Sequence, residues 1–168
     1  MKFTNYEKLS LLILCDIADG TKEIDIDFIR QAIFSDNTWG IAWQMGGIEF
    51  EKEPEPPHVK ETTNILSMFS SLNNSYNSLS PTEKAEIDAS SSAYSLKYRG
   101  FDGNNEGEYL STVDFLTVNL ARYTDLKIQP GLNSHSPMFD NYNDMYSIWH
   151  DLHKYELNAS EIKQVIEA

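Results

Sequence analysis

The side chains of this sequence best suited to acid–base or metal chemistry are a histidine pair, His150 and His153. They lie three residues apart, so on a helix both imidazoles reach one side, where they could share a metal ion. Zinc needs further ligands. Asp144, Asp151 and Glu156 are near in sequence, but no His-Glu-x-x-His or paired-cysteine motif supports them. We predict that both histidines are structural, with no metal and no cofactor. A metal-dependent or acid–base enzyme centred on His150 is the alternative.

A second candidate is the acidic turn at residues 102–107, Asp-Gly-Asn-Asn-Glu-Gly. It places oxygen ligands at the first, third and fifth positions and glycine at the sixth, as a calcium loop does. The twelfth position, which must supply a bidentate glutamate, is Val113. A turn that caps the following helix is therefore predicted, with Glu106 and Glu108 near the positive end of that helix.

Cys15 is the only cysteine, and it lies in the apolar run Leu-Leu-Ile-Leu-Cys. Its neighbours Asp16 and Asp19 would raise the pKa of a thiol, so a nucleophilic role is disfavoured. A core residue of a cytoplasmic protein is the prediction. The apolar run is also too short to cross a bilayer, which needs about 20 residues.

The charge balance argues against nucleic acid as a partner. The chain holds 13 basic and 26 acidic residues, a net charge of −13, which repels phosphate backbones. One regulatory alternative is a helix-turn-helix-like unit within residues 5–45, formed by helices at 25–33 and 35–45. The second of these offers Asn37, Thr38 and Gln44 but no lysine or arginine, a poor composition for reading a DNA groove.

The elements that position these residues are helices, because apolar residues recur at three- and four-residue steps. We predict an all-α, multihelical single domain of about seven to eight helices. Ser80 and Asn158 each begin a capping box, with glutamate three residues later. The predicted helices run over residues 5–18, 25–33, 35–45, 59–79, 81 onward towards Tyr98, 105–123, from Ser136-Pro137 to about 152, and 159–166.

Prolines and charges mark one division of the chain. Residues 49–58 contain three prolines among glutamates, which forbid a continuous helix. We predict a small N-terminal helical subdomain at residues 1–48, a connector at 49–58 and a helical core at 59–168. A coil that merely crosses the domain surface is the other interpretation of the connector.

A set of local motifs follows in fixed order between Thr63 and Ala168. They include Gly100-Phe101-Asp102-Gly103-Asn104, Arg122-Tyr123, Ser136-Pro137-Met138 and Trp149-His150, and the last is the Leu157–Ile162 cap. In these motifs the sequence resembles the YfbU-like family of small bacterial proteins. The family's N-terminal Asn-Gln pair is absent, so no role tied to it carries over. The resemblance implies a multihelical cytosolic protein that assembles with copies of itself, and no settled activity.

Aromatic residues make up 12% of the chain, more than one small helical core needs. Exposed aromatics cluster at interfaces, so we predict an interface at Trp39, Trp43, Phe139, Tyr142 and Tyr146. A wide core stripe is the competing interpretation.

Arg122 is expected to pair with Asp114, Asp125 or a partner's carboxylate. The function predicted is a non-enzymatic, self-associating or partner-binding module: a homo-oligomer, or the binder of a protein partner.

Overall fold

Helices form the regular structure of the computed structural model, which describes residues 3–18, 24–45 and 55–168. These ranges contain eight α-helices and no strand; one isolated bridge joins Phe101 to Asn133. The all-α prediction is confirmed. The helices are α1 (Asn5–Ala18), α2 (Ile26–Phe34), α3 (Trp39–Gln44), α4 (Pro57–Ser78), α5 (Pro81–Asp88), α6 (Gly107–Asp114), α7 (Phe139–Asp151) and α8 (Ala159–Ile166).

The long helix α4 is the centre of the fold. Its inner side carries Val59, Ile65, Leu66, Phe69 and Leu72, all at most 2% exposed, and α6, α7 and α8 pack against it. The three- and four-residue spacing of these side chains places them on one side of the helix. Pro57 occupies the first turn, where its missing N–H costs no hydrogen bond. The helix begins two residues before the predicted start, inside the predicted connector; residues 49–54 of that connector lie outside the described ranges.

The helices α2 and α3 contribute to the same hydrophobic core. Phe28 and Trp39 pack their rings against Phe115, with centroids 5.5 and 5.4 Å apart. Gly40 permits this approach, because a Cβ there would lie 2.3 Å from the Phe115 ring. The boundaries at residues 48 and 59 stay a prediction about how the chain divides.

Both capping boxes predicted from the sequence are confirmed. Ser80 accepts a hydrogen bond from the Glu83 N–H, and the Glu83 carboxylate accepts one from the Ser80 N–H at 2.9 Å. Asn158 and Glu161 make the same reciprocal pair at the start of α8. Each box satisfies backbone donors that a helix start otherwise leaves without partners.

The predicted helix over residues 105–123 is wrong in its second half. The α-helix ends at Asp114, five residues follow in π-helical conformation, and Tyr123 adopts a left-handed conformation with φ 55°. The reason lies in tertiary contacts. The Tyr123 hydroxyl donates to the Thr63 carbonyl at 3.2 Å and lies 3.3 Å from the Ser67 hydroxyl, both on α4.

Three other predicted helix boundaries are also wrong, one end and two starts. Helix α5 stops at Asp88 instead of continuing towards Tyr98, because the serine run bonds to its own backbone: Ser92 N–H donates to Ser90 Oγ at 3.1 Å. Helix α3 starts after Thr38, and Ser35 ends α2 instead of capping α3. Helix α7 starts at Phe139, after the predicted Ser136-Pro137 start.

Candidate functional site

The outer side of α1 carries an unbroken row of exposed apolar side chains. Tyr6 is 85% exposed, Leu9 55%, Ile13 50% and Ile17 75%; Leu14, beside the row, is 58% exposed. We call these five residues the α1 face. Their spacing places them on one side of the helix, while Cys15 on the opposite side is buried. A helix that is apolar on two opposite sides is typically packed against other protein surfaces on both sides.

Charged residues around the α1 face are bonded within the subunit. Lys8 forms an ion pair with Asp36, and Asp16 forms one with Arg30 at 3.0 Å. The Asp16 pair attaches α1 to α2, and the Lys8 pair attaches α1 to the turn that follows α2. The Glu7 carboxylate accepts hydrogen bonds from the Thr4 N–H and hydroxyl, which hold its pKa below the usual range. The α1 face itself holds no charge.

Cys15 lies on the inner side of α1 and has no reactive setting. The pKa of its thiol lies above the ordinary value, mainly because the side chain is buried. The thiol is therefore protonated near neutral pH, and the thiolate is the nucleophilic form. This location agrees with the prediction of a core residue.

Two of the five aromatic residues predicted at an interface lie inside the subunit. Trp39 is 5% exposed and Tyr142 2%. The Tyr142 hydroxyl donates to the Gly100 carbonyl at 3.2 Å and accepts from the Arg99 N–H at 3.0 Å. Burial raises the pKa of Tyr142 to about 12, which keeps the donor proton in place. For these two rings the competing interpretation is correct: they belong to a wide apolar stripe that faces the core.

The other three predicted interface residues are half-buried. The Trp43 ring lies under the Arg122 guanidinium, whose carbon is 4.6 Å from the ring centroid, and its indole N–H donates to Glu55 at 2.6 Å. Arg122 therefore stacks on an aromatic ring instead of pairing with Asp114 or Asp125. Phe139 packs against a neighbouring tyrosine, and Tyr146 against two rings of its own helix.

The histidine pair lies at the exposed end of α7. His150 is in the last turn, and His153 follows the helix with φ 51°. Their ring centroids are 5.9 Å apart, and the His150 Nδ1 atom lies 3.9 Å from a carboxylate oxygen of Asp151. Among the described residues no three His, Cys, Asp or Glu side chains come together as a metal ion would require.

Two of the three groove-reading residues of the DNA-binding alternative are buried and not available to DNA. Asn37 and Thr38 are 2% and 5% exposed. The Asn37 amide donates to the Ser111 hydroxyl at 3.0 Å and accepts from the Trp39 indole at 2.9 Å, so it joins α3 to α6. Gln44 is exposed, but one amide does not read a groove.

Comparison with known proteins places this chain in a family. A sequence profile described as the YfbU domain matches residues 1–168. The chain belongs to the YfbU family. Two similar proteins, each named UPF0304 protein, come from Actinobacillus succinogenes and Mannheimia succiniciproducens. They are 32% identical to this chain over 105 and 118 residues. The matches cover 61% and 69% of this chain, and 60% and 66% of the relatives' own lengths.

Two of the motifs that carry the YfbU resemblance, the glycine turn and the segment before α7, meet around one buried carboxylate. Glu106 Oε1 accepts hydrogen bonds from the Met138 and Phe139 N–H groups at 2.8 and 2.7 Å, and Oε2 accepts from the Asp102 N–H at 2.8 Å. From the sequence, the negative charge of the Glu106 carboxylate is expected to stabilise the N-terminus of α6. It binds the first residues of α7 instead, 32 positions later, where a negative charge is favourable.

The neighbouring motif residues shape this connection. Gly100 has φ 92°, and a Cβ there would lie 2.1 Å from the Leu132 carbonyl oxygen, so only glycine fits. Phe101 is fully buried, and the Asp102 carboxylate accepts from the Asn104 N–H. Hydrogen bonds from Asn105 and Asn104 hold the pKa of Asp102 below its usual range. The predicted cap of α6 is wrong, because Glu106, the N-cap residue, makes no side-chain hydrogen bond to that helix. Val113 stands where a calcium loop needs a glutamate, and it is buried in the core.

Two further motif residues lie beside this connection. Pro137 directly precedes the α7 cap and is exposed. Trp149 donates its indole N–H to the Ser71 hydroxyl at 2.9 Å, which attaches α7 to α4. Both have structural positions in the YfbU fold, and neither forms part of a cluster suited to catalysis.

Sequence reasoning missed the α1 face of this YfbU chain. Leu9, Ile13 and Ile17 recur at helical spacing, and apolar residues in that pattern usually face a core. The available signal was that α1 carries apolar residues on two opposite sides, with Cys15 opposite these three. None of the helices in residues 3–18, 24–45 and 55–168 has the length and apolar character needed to cross a membrane.

Proposed function

We propose that this YfbU-family protein is a non-enzymatic module that self-associates through the α1 face. The observation that carries the proposal is the row Tyr6, Leu9, Ile13, Leu14 and Ile17, in which every side chain is half exposed or more. Uncovered rows of this kind mark contact surfaces, because apolar area left in water is unfavourable. The proposed interface differs from the sequence-based one, since two of those five rings lie in the core.

A second copy of the chain suits this face because the face is uncharged and self-complementary. The protein carries a net charge of −13, so two copies repel each other wherever charged surfaces meet. On the α1 face there is no charge to oppose pairing. The flanking carboxylates of Glu7 and Asp16 are already bonded to Thr4 and Arg30.

The spacing of the face fits an antiparallel pair of α1 helices around a two-fold axis. Apolar side chains at steps of three and four form the ridge that packs between two helices. In that arrangement Tyr6 meets Ile17, and Leu9 meets Ile13. Burying a side chain of this size removes roughly 60–120 Å² from water. Five on each copy give on the order of 1,000 Å², about the lower limit for a specific interface.

Light scattering of the purified chain tests the proposal. We expect the wild-type protein to show twice the 19.2 kDa monomer mass at micromolar concentration. Ile13→Glu places a charge in the centre of the face and should return the mass to that of the monomer. The matched control is Val118→Glu, a β-branched residue that is 54% exposed outside α1 and should leave the dimer intact.

Two results would contradict the proposal. One is a wild-type monomer at micromolar concentration, and the other is an Ile13→Glu variant that keeps the dimer mass. Circular dichroism spectra of both variants must match the wild type, so that lost folding is not mistaken for lost association.

We also infer that the protein acts in the cytoplasm. The support is that the sequence has one cysteine, which is buried and has no second cysteine with which to form an internal disulfide. Fractionation of cells that express the native chain tests this, and recovery in a secreted or membrane fraction would contradict it.

A further inference from the structure

A cleft of about 420 Å³ lies between the end of α4, the first turn of α5 and the segment 155–157. It shares no residue with the α1 face. Its volume falls within the usual range of sites for small molecules, roughly 300–1,000 Å³. Ser78 and Leu79 form one wall, Glu83 the second, and Tyr155 with Glu156 the third.

The third wall is fixed to α4 by hydrogen bonds. The Tyr155 carbonyl accepts from the Ser71 hydroxyl, and the Leu157 N–H donates to the Ser75 hydroxyl at 2.9 Å. The Asn74 amide lies 3.3 Å from the Tyr155 hydroxyl and donates to it. The cleft is therefore formed before any ligand arrives, which lowers the entropic cost of binding.

The charges around the cleft are negative. Hydrogen bonds from Ser80 hold the pKa of the Glu83 carboxyl below its usual range, so this group is ionised at neutral pH. Both of those bonds use Oε2, and Oε1 of Glu83 accepts none within the described ranges. The carboxylate of Glu156 has no hydrogen bond or ion pair there either. The C-terminal end of the 22-residue α4 adds the negative end of a helix dipole.

The nearby cations are engaged elsewhere. Lys84 donates to the Asn77 carbonyl at 2.8 Å and lies over the Tyr76 ring. Lys154, next to Tyr155 in sequence, is paired with Glu161 on α8. Neither lysine lines the cleft, so no cation among the described lining residues balances its two glutamates.

We propose that this cleft binds a protonated amine at the end of an alkyl chain. Glu83 Oε1 and Glu156 would accept its N–H groups, and Leu79, Leu157 and the Tyr155 ring would contact the methylene groups. A bare metal ion fits less well, because the described residues bring no three ligands together. A lysine side chain of a peptide and a free alkyl diamine share this chemistry.

Titration of the full-length protein with two probes, followed by NMR, distinguishes these sources. Cadaverine represents the free diamine, and a short peptide with one internal lysine represents the side chain. We expect saturable shifts of the Tyr155 and Leu157 amides at millimolar concentrations of at least one probe. Shifts with cadaverine alone would identify a small-molecule site, and shifts with the peptide would identify a site for a lysine side chain. Pentane-1,5-diol, the uncharged analogue of cadaverine, should cause none.

A pair of variants tests the role of charge. Glu156→Gln removes one of the two acceptor charges and should weaken binding about tenfold, as expected for losing a hydrogen bond to a charged group. Asp144→Asn changes the net charge equally but lies on α7 outside the cleft, so its affinity should stay within about twofold. Absence of saturable shifts with both probes, equal binding of the diol, or equal weakening in both variants would overturn the proposal.

Discussion

Glu106 connects two segments of the chain that the sequence separates by more than 30 residues. Its two oxygens accept three backbone N–H groups, from the turn at Asp102 and from the start of α7. The side chain is 7% exposed, so water does not replace these bonds when they are lost. A residue that looked like a local helix cap therefore joins the glycine turn to α7.

The change Glu106→Gln tests this connection. Glutamine has the same shape but one acceptor oxygen, and its amide N–H₂ would oppose a backbone donor. We expect the free energy of unfolding to fall by about 1–3 kcal/mol. Urea denaturation followed by circular dichroism measures it. The control Glu108→Gln alters an exposed carboxylate two residues later and should change stability by less than about 0.5 kcal/mol. Equal effects of both changes would contradict the role given to Glu106.

Helix starts marked by a capping box followed from the sequence, whereas the starts of α3 and α7 and the ends of α5 and α6 did not. The Ser80 and Asn158 boxes were predicted correctly, because the groups that form them lie within four consecutive residues. The ends of α5 and α6 were not, since the stop signals involve a serine run and contacts with α4. Tyr123 illustrates this: its left-handed backbone is held by bonds to Thr63, 60 positions away.

Removal of the Asn158 cap should destabilise α8. Asn158→Ala leaves the Glu161 N–H without its side-chain acceptor, and such a loss costs about 1 kcal/mol. Because Ile162, Val165 and Ile166 of α8 are buried in the core, we expect the whole protein to lose this stability. A lowered urea midpoint with an unchanged slope would show it. Ser160→Ala in the same turn removes an exposed hydroxyl and should leave the midpoint unchanged; a shift as large as that of Asn158→Ala would contradict the capping role.

At the scale of the whole molecule, the acidic surface and the uncharged α1 face have opposite effects on association. Two copies with a net charge of −13 repel each other at long range, and salt screens that repulsion. The proposed contact is apolar and is not weakened by screening. The balance between these two effects gives the proposed dimer a characteristic response to salt.

We expect the dimer proposed here to tighten as the concentration of sodium chloride rises. Sedimentation equilibrium at low and high salt measures the dissociation constant at each condition. An interface held by ion pairs would weaken instead, so a dissociation constant that rises with salt would contradict an apolar contact. The Val118→Glu variant should follow the wild type, apart from a small effect of its added charge.

The sequence by itself determined the helical class, the family resemblance and both capping boxes. These features depend on neighbouring residues and on periodicity, which are properties of the chain as written. Tertiary structure decided which apolar sides are covered. Trp39 and Tyr142 lie in the core and the α1 face lies in water, although all are apolar residues at helical spacing. Burial depends on which helices pack together, and that arrangement follows from long-range contacts that no local pattern encodes.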